Sequence, residues 1–193
     1  LKTHQLTLTY MIGGAGAQKE IGLEIVKSLK DRILNKDISI NIVVGRRIDL
    51  KQYYEQEFKN LEITSCLGKN LIILFEFDKN ILFEKTNKIL RTTDILWTKP
   101  SEMSFYTALG IPIIISPPIG AHEVYNKEWL EHIGSGYPQQ NPQFTNDWLF
   151  YWINDGRLAD AALQGFIDAP LMGTYNIEEY LKKDFEKNSE FFE

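Results

Sequence analysis

Apolar runs of strand length alternate with segments of helical spacing along this 193-residue chain. Gln5 to Ile12, QLTLTYMI, is β-rich and predicts a first strand. Ile21, Ile25, Val26, Leu29 and Ile33 then recur on one helical face. Ile38 to Val44 predicts a second strand, and Leu50 to Phe58 a short helix packed through Tyr53, Tyr54 and Phe58. Leu61 to Lys69 allows an edge strand around Glu62 to Cys66. Asn70 to Phe77, Asp94 to Thr98 and Ile111 to Ser116 predict three more principal strands, separated by helices over Ile81 to Leu90 and Ser101 to Leu109.

The last third reads as helical. Helices are expected from Glu123 to His132, from Asn146 to Ile153 behind a Thr145 cap, and from an Asp155 cap through Phe166. Gly134 to Asn141 reads as a loop, Pro170 and Gly173 as breaks, and Asn176 to the end as a final helix. Trp148 to Trp152 reads as core. Strands alternating with helices predict an α/β fold, a Rossmann-like parallel sheet with helices on both faces.

Composition narrows the function. The net charge of −5 argues against a general nucleic-acid surface. Cys66 is the single cysteine, so no disulfide framework exists and a reducing compartment is expected. His4, His122 and His132 lack metal-ligand spacing, so no metal site is expected. No apolar run reaches membrane-spanning length and no signal peptide is visible. A start at Leu1 that moves almost at once into a strand suggests a piece of a longer polypeptide or a processed terminus.

Candidate chemistry collects at strand ends. Gly13-Gly14-Ala15-Gly16-Ala17-Gln18 links the first strand to a helix, an arrangement that lets backbone N–H groups approach a phosphate. It is not a Walker A loop, because it lacks the Gly-Lys-Ser/Thr ending, and the third Rossmann glycine position holds Lys19. Gly45-Arg46-Arg47 follows the second strand and offers an arginine to a phosphate or a base. Lys99-Pro100-Ser101-Glu102 follows the fourth strand, and Pro117-Pro118-Ile119-Gly120 follows the fifth and opens a helix at His122-Glu123. In open α/β sheets, ligands bind at this edge.

Three of these pieces, taken in order, resemble the C-terminal half of GT-B glycosyltransferases. GGAGAQ is similar to the glycine loop that opens that half. TKPSEMSFYTALGIPIII resembles its TK-x-G…E-A…G-x-P segment, and IGAHEVYN its G-Q-E-x-x-N segment. The nearest resemblance is to monogalactosyldiacylglycerol synthases and to the lipid II-forming N-acetylglucosaminyltransferases, and it runs from the first strand to about Phe166. It implies one half of a GT-B fold, with a nucleotide-sugar-binding domain over residues 1–170; residues 171–193 read separately as a helical extension whose Phe185, Phe191 and Phe192 are expected to contact a covering domain or the sheet. The resemblance also implies a UDP-sugar donor with no required cofactor or metal, and a cytoplasmic chain, any contact with the inner face of a membrane being left to the missing N-terminal half.

Carried over by position, Gly13 to Gln18 sit against the diphosphate, Gly45 and Arg46 near the base, and Lys99 to Glu102 along the nucleotide. Gly120, His122, Glu123 and Asn126 form the sugar side. Three departures stand out. Phe105 replaces the family's helix glutamate, with Glu102 one turn earlier. Pro100 and Ser101 replace glycines, and His122 replaces a glutamine. Acceptor recognition and the usual base belong to the family's N-terminal domain, so no catalytic residue is expected in this chain, and the isolated chain is expected to bind donor without transferring it. Two rivals remain. An NADP-dependent reductase would use Arg46 and Arg47, but no Tyr-x-x-x-Lys pair follows. A non-catalytic module binding a nucleotide sugar or a protein is the other.

Overall fold

The computed structural model describes residues 4–13, 16–101 and 103–189. Gly14, Ala15, Glu102, Phe191 and Phe192, all singled out above, lie outside them, as does the Phe185 side chain.

Six parallel strands form one sheet: β1 (Thr7–Met11), β2 (Ser39–Gly45), β3 (Leu71–Phe75), β4 (Ile95–Thr98), β5 (Ile113–Ile115) and β6 (Gly136–Pro138). Their spatial order is β3-β2-β1-β4-β5-β6. The chain winds outward from β1 in one direction and then returns to build outward from β4 in the other. The reversal between β1 and β4 is the topological switch point, where side-by-side strands lead into helices on opposite faces and a crevice opens.

Nine helices connect and cover the strands among the described residues: α1 (Lys19–Ser28), α2 (Lys30–Leu34), α3 (Ile48–Asn60), α4 (Lys79–Leu90), α5 (Met103–Thr107), α6 (Ala121–His132), α7 (Thr145–Asn154), α8 (Arg157–Asp168) and α9 (Gly173–Ser189). Period-2 alternation assigns each strand residue to a face. Leu8 and Tyr10, Ile40, Ile42 and Val44, Ile95 and Trp97, and Ile114 point into a core shared with α1, α3 and α7. Leu96, Ile113 and Ile115 point the other way, against α4, α5 and α6 through Leu90, Met103, Tyr106 and Leu130. On that second face Thr9 and Asn41 are buried, and they satisfy each other. Asn41 Nδ2 donates to Thr9 Oγ1 at 3.0 Å, and the Thr9 and Thr93 hydroxyls share a bond at 2.7 Å.

The parallel Rossmann-like sheet expected from the sequence is the one observed, with local differences. Thr64–Cys66 is a 3-10 turn, not an edge strand. The segment Gly134 to Asn141, expected as loop, contains β6, which hides its identity behind Gly136 and Pro138. Proline is tolerated there because β6 is the outermost strand. Thr145 is not the N-cap of α7. A 3-10 turn over Pro142–Phe144 precedes that helix, and the Thr145 hydroxyl donates back to the Pro142 carbonyl at 2.6 Å. The helical face from Ile21 to Ile33 divides at Leu29 into α1 and α2, with Ile25, Val26, Leu29 and Ile33 all buried.

Two buried tyrosines fix where α1 starts. Tyr10 of β1 donates to the Gln18 carbonyl at 2.8 Å, and Tyr54 of α3 donates to the Lys19 carbonyl at 2.7 Å. Burial pushes both phenols far up, so both stay protonated donors. Gly22 lets the helix sit this close. A Cβ there would overlap the Tyr54 hydroxyl and lie 2.8 Å from Tyr10 Cδ1. Gly22→Ala is therefore expected to cost about 1–3 kcal/mol through overpacking, read as a lower urea midpoint with an unchanged slope.

Candidate nucleotide-sugar site

The loops after β1, β2, β4 and β5 all emerge at the C-terminal edge of the sheet. A cleft of about 1130 Å³ opens there, reaching from the end of β1 across β2 to α4 and α5. Its floor is made by strand ends: Met11, Ile12 and Gly13, then Val43, Val44 and Gly45, then Thr98. Gly45 has φ +63°, a left-handed conformation that glycine adopts without strain and that turns the chain sharply off β2. Arg46, Arg47 and Lys79 supply positive charge at the rim.

The far wall is aromatic. Phe77, Phe83 and Phe105 line the cleft and remain 62%, 55% and 57% exposed. Large apolar side chains held this open form a surface for a flat, partly apolar ligand. Reading the sequence alone did not single out Phe77 or Phe83. The strand expected through Phe77 ends at Phe75, which places Phe77 in the loop before α4. Asp78 then caps α4, accepting from the N–H groups of Asn80 and Ile81 at 2.8 and 2.9 Å. An aromatic-acidic-aromatic-Asp sequence closing a strand was the available signal. Phe105, noted above only as a departure, faces this same space.

The other expected site residues gather next to the cleft, over the end of β4. Lys99 Nζ pairs with Glu123 Oε1 at 2.8 Å, with side chains only 13% and 4% exposed. The second Glu123 oxygen accepts the Ile119 N–H at 2.7 Å. Burial alone pushes the Glu123 carboxyl up, but the Lys99 and Ile119 donors and the ammonium charge outweigh it and hold the carboxyl below its usual range. Glu123 also sits in the first turn of α6, where the helix dipole favours a negative charge. Asn126 Nδ2 donates to the Pro100 carbonyl at 2.9 Å, tying α6 to the β4 loop. Gln18 Nε2 donates to the Pro117 carbonyl at 2.7 Å, tying the glycine loop to the β5 loop. Gln18 does this from a left-handed backbone, φ 70°, and its Oε1 is buried without a partner. His122 is exposed, its ring folded back over Gly120.

The structure thus sorts the expected residues into two neighbouring groups. Gly13, Gly45, Arg46 and Ser101 line the cleft. Gln18, Lys99, Pro100, Gly120, His122, Glu123 and Asn126 belong to the three loops tied together beside it. Gly13 belongs to both, since it lines the cleft while Lys99 lies across it. Gly16 lies under the Arg47 side chain, and Ala17 leads into Gln18. Among the described residues no group of three His, Cys, Asp or Glu side chains is placed to hold a metal, and no helix is long and apolar enough to cross a membrane.

Known proteins share this architecture. Residues 52–176 match the model of the family described as "Domain of unknown function (DUF6938)". The processive diacylglycerol beta-glucosyltransferase of Bacillus pumilus (strain SAFR-032) is 26% identical over 138 residues, 70% of this chain and 32% of that protein. MurG of Acinetobacter baumannii superposes with a TM-score of 0.63 at 19% identity, over 95% of this chain and 51% of that one. HepE of Anabaena, solved in complex with UDP, superposes with a TM-score of 0.57 at 15% identity, over 93% of this chain and 49% of that one. The fold is the one that these solved structures contain over about half of their length. The chain spans about half the length of these solved structures and about a third of the curated relative.

Proposed function

The chain belongs to the family described as DUF6938, and from its cleft and its likeness to glycosyltransferases we propose that it is the donor-binding half of such an enzyme. It holds a nucleotide-sugar, a UDP-sugar in our reading, while a second half presents the acceptor. The observation that carries this reading is the cleft, which runs from a glycine-rich strand end to an aromatic wall at the switch point of the sheet. In this reading a nucleotide spans the cleft from one end to the other. The base lies against Phe77 and Phe83, Arg46 stands near it, and the diphosphate reaches the loop that begins at Gly13. The sugar then falls toward Gly120, His122, Glu123 and Asn126.

The chemistry suits these groups. A diphosphate leaving group gains negative charge as the glycosidic bond breaks, and fixed N–H donors and cations stabilise it without reorganising. Sugar hydroxyls are read by groups that both donate and accept, such as the His122 ring and the Asn126 amide. Glu123 keeps accepting capacity beyond its bonds to Lys99 and Ile119, since a carboxylate offers several lone-pair sites. No residue of this chain is assigned as the base that activates the acceptor. That role falls to the second half, and the exposed apolar residues of α9, including Tyr175, Ile177, Tyr180 and Leu181, give such a half a surface to cover.

Calorimetric titration with UDP tests the reading. The chain is expected to bind UDP and to leave NADPH unbound. Phe77→Ala is expected to weaken UDP binding by up to about tenfold, the worth of one aromatic stacking contact. Binding of NADPH with no response to UDP would replace this reading with a reductase.

A further inference from the structure

The aromatic wall of the cleft carries a cation whose role the reading above leaves open. Lys79 opens α4, and its Nζ lies over the Phe83 ring, 5.4 Å from the centroid, where an ammonium and an aromatic face attract. Arg46 reaches the same rim from β2. Gly45 pairs with Phe75 at the end of β3, and the Glu76 N–H donates to the Gly45 carbonyl at 3.1 Å. The chain that leads to Lys79 therefore runs beside the chain that leads to Arg46. Both side chains are exposed, both line the cleft, and neither is paired with an acid among the described residues.

The acids beside them are engaged elsewhere. Glu76 accepts the Phe77 N–H at 3.0 Å and pairs with Lys85 at 2.6 Å. Asp78 accepts the N–H groups of Asn80 and Ile81. Among the described residues that line the cleft, none carries a carboxylate. The side chains that can accept a hydrogen bond there, Thr86, Asn87, Thr98, Ser101 and Tyr106, stand in later turns of α4 or on the side of β4 and α5.

We propose that Lys79 and Arg46 form a donor-only edge that selects the nucleobase by its carbonyl oxygens, admitting uracil or thymine and rejecting cytosine. The proposal rests on the donor-binding reading above and deepens it by stating which pyrimidines the aromatic wall holds. Every base has a π-face, so stacking on Phe77 and Phe83 gives affinity without choice. Choice comes from the edge of the ring. An ammonium and a guanidinium have donors and no acceptor. The O4 carbonyl of uracil or thymine accepts from them, whereas cytosine carries an amino donor at that position. Turned toward the two cations, that amino group leaves its own hydrogens and theirs unpaired. A site made to bond one group rejects the analogue that lacks it. Lys79 and Arg46 are open to water, which softens the penalty, so a choice of about tenfold is expected, the worth of one hydrogen bond.

Calorimetric titration of the full chain with UDP and CDP decides the matter. The two ligands share ribose and diphosphate and differ only in that carbonyl and the ring nitrogen beside it. Native protein is expected to bind UDP about tenfold tighter than CDP. Lys79→Gln and Arg46→Gln each supply an amide, which both donates and accepts. The combined variant is expected to bring the ratio of the two affinities below about threefold, chiefly by weakening UDP. General attraction between these cations and a diphosphate acts on both ligands alike, so its loss would weaken UDP and CDP together and leave the ratio as in native protein. Both positions are exposed, so urea midpoints near native are expected for the variants. A native ratio near one or in favour of CDP, or a ratio unchanged in the combined variant, would overturn the donor-only edge while native UDP binding upholds the donor site. Native protein that binds neither ligand would overturn both.

Discussion

Lys99→Met is expected to destabilise the folded chain by about 3–5 kcal/mol at neutral pH, because it strands the Glu123 carboxylate in a buried site without its cation. The cost comes from the partner left behind more than from the bond itself. Replacing both groups by neutral ones of similar shape, Lys99→Met with Glu123→Gln, is therefore expected to recover most of the loss. The pH dependence follows from the direction of the Glu123 shift. In the native protein the carboxyl sits below its unfolded value of about 4.3, so its contribution is fully present above that value and is lost as pH falls through the folded one. In Lys99→Met the ammonium is gone and burial is opposed mainly by the Ile119 and Gly120 N–H groups, so the carboxyl moves up from its native position. The variant then takes a proton more readily, and its deficit shrinks as pH falls. Urea unfolding of native and variant chains at pH 7 and near pH 4 checks this: the two midpoints should converge at the lower pH. A gap that stays constant would mean Glu123 is not the source of the loss.

Trp97→Ala should cost about 3–5 kcal/mol, the range for emptying a large aromatic from a close-packed core. Trp97 is fully buried in β4 at the centre of the sheet. Its ring meets Tyr10 edge-on at 6.2 Å between centroids and Trp148 of α7 at 5.2 Å, and Trp148 meets Trp152 at 4.6 Å. The indole Nε1 donates to Gln139 Oε1 at 3.0 Å, so the substitution also leaves a polar partner unpaired. Trp97→Phe keeps most of the volume, gives up one ring and the donor, and is expected to cost less than Trp97→Ala. Chemical denaturation measures both, and loss of near-ultraviolet dichroism in Trp97→Ala would report the broken aromatic cluster directly. An alanine variant as stable as the native chain would contradict the packing described for β4.

Most of the sheet was legible in the sequence because strand identity is a local property. An apolar run such as ISINIVV is buried on both faces whichever neighbours it has, and β2 forms within one residue of where it reads. The glycine loop was legible for the same reason, since strand, glycines and helix follow one another directly. What was misread depends on neighbours. Gly136–Pro138 sets Tyr137 between two strand-disfavouring residues and becomes β6 because β5 offers an open edge, with Gly136 so close that a Cβ would meet the Ile113 carbonyl at 2.8 Å. Thr64–Cys66 carries β-favouring residues but turns to bring the chain back to β3. The aromatic wall was missed because exposure of Phe77 and Phe83 is set by how α4 leaves the sheet.

The sequence by itself determined the class of fold, which loops stand at the C-terminal edge of the sheet, and the residue types available there. Those follow from short-range periodicity and from loop chemistry at strand ends. Only the tertiary structure decided which of those residues meet. Lys99 and Glu123 stand 24 positions apart, and Gln18 and Pro117 stand 99 apart. They are brought together because the strand order places β4 between β1 and β5, so that loops distant in the chain converge over one strand end.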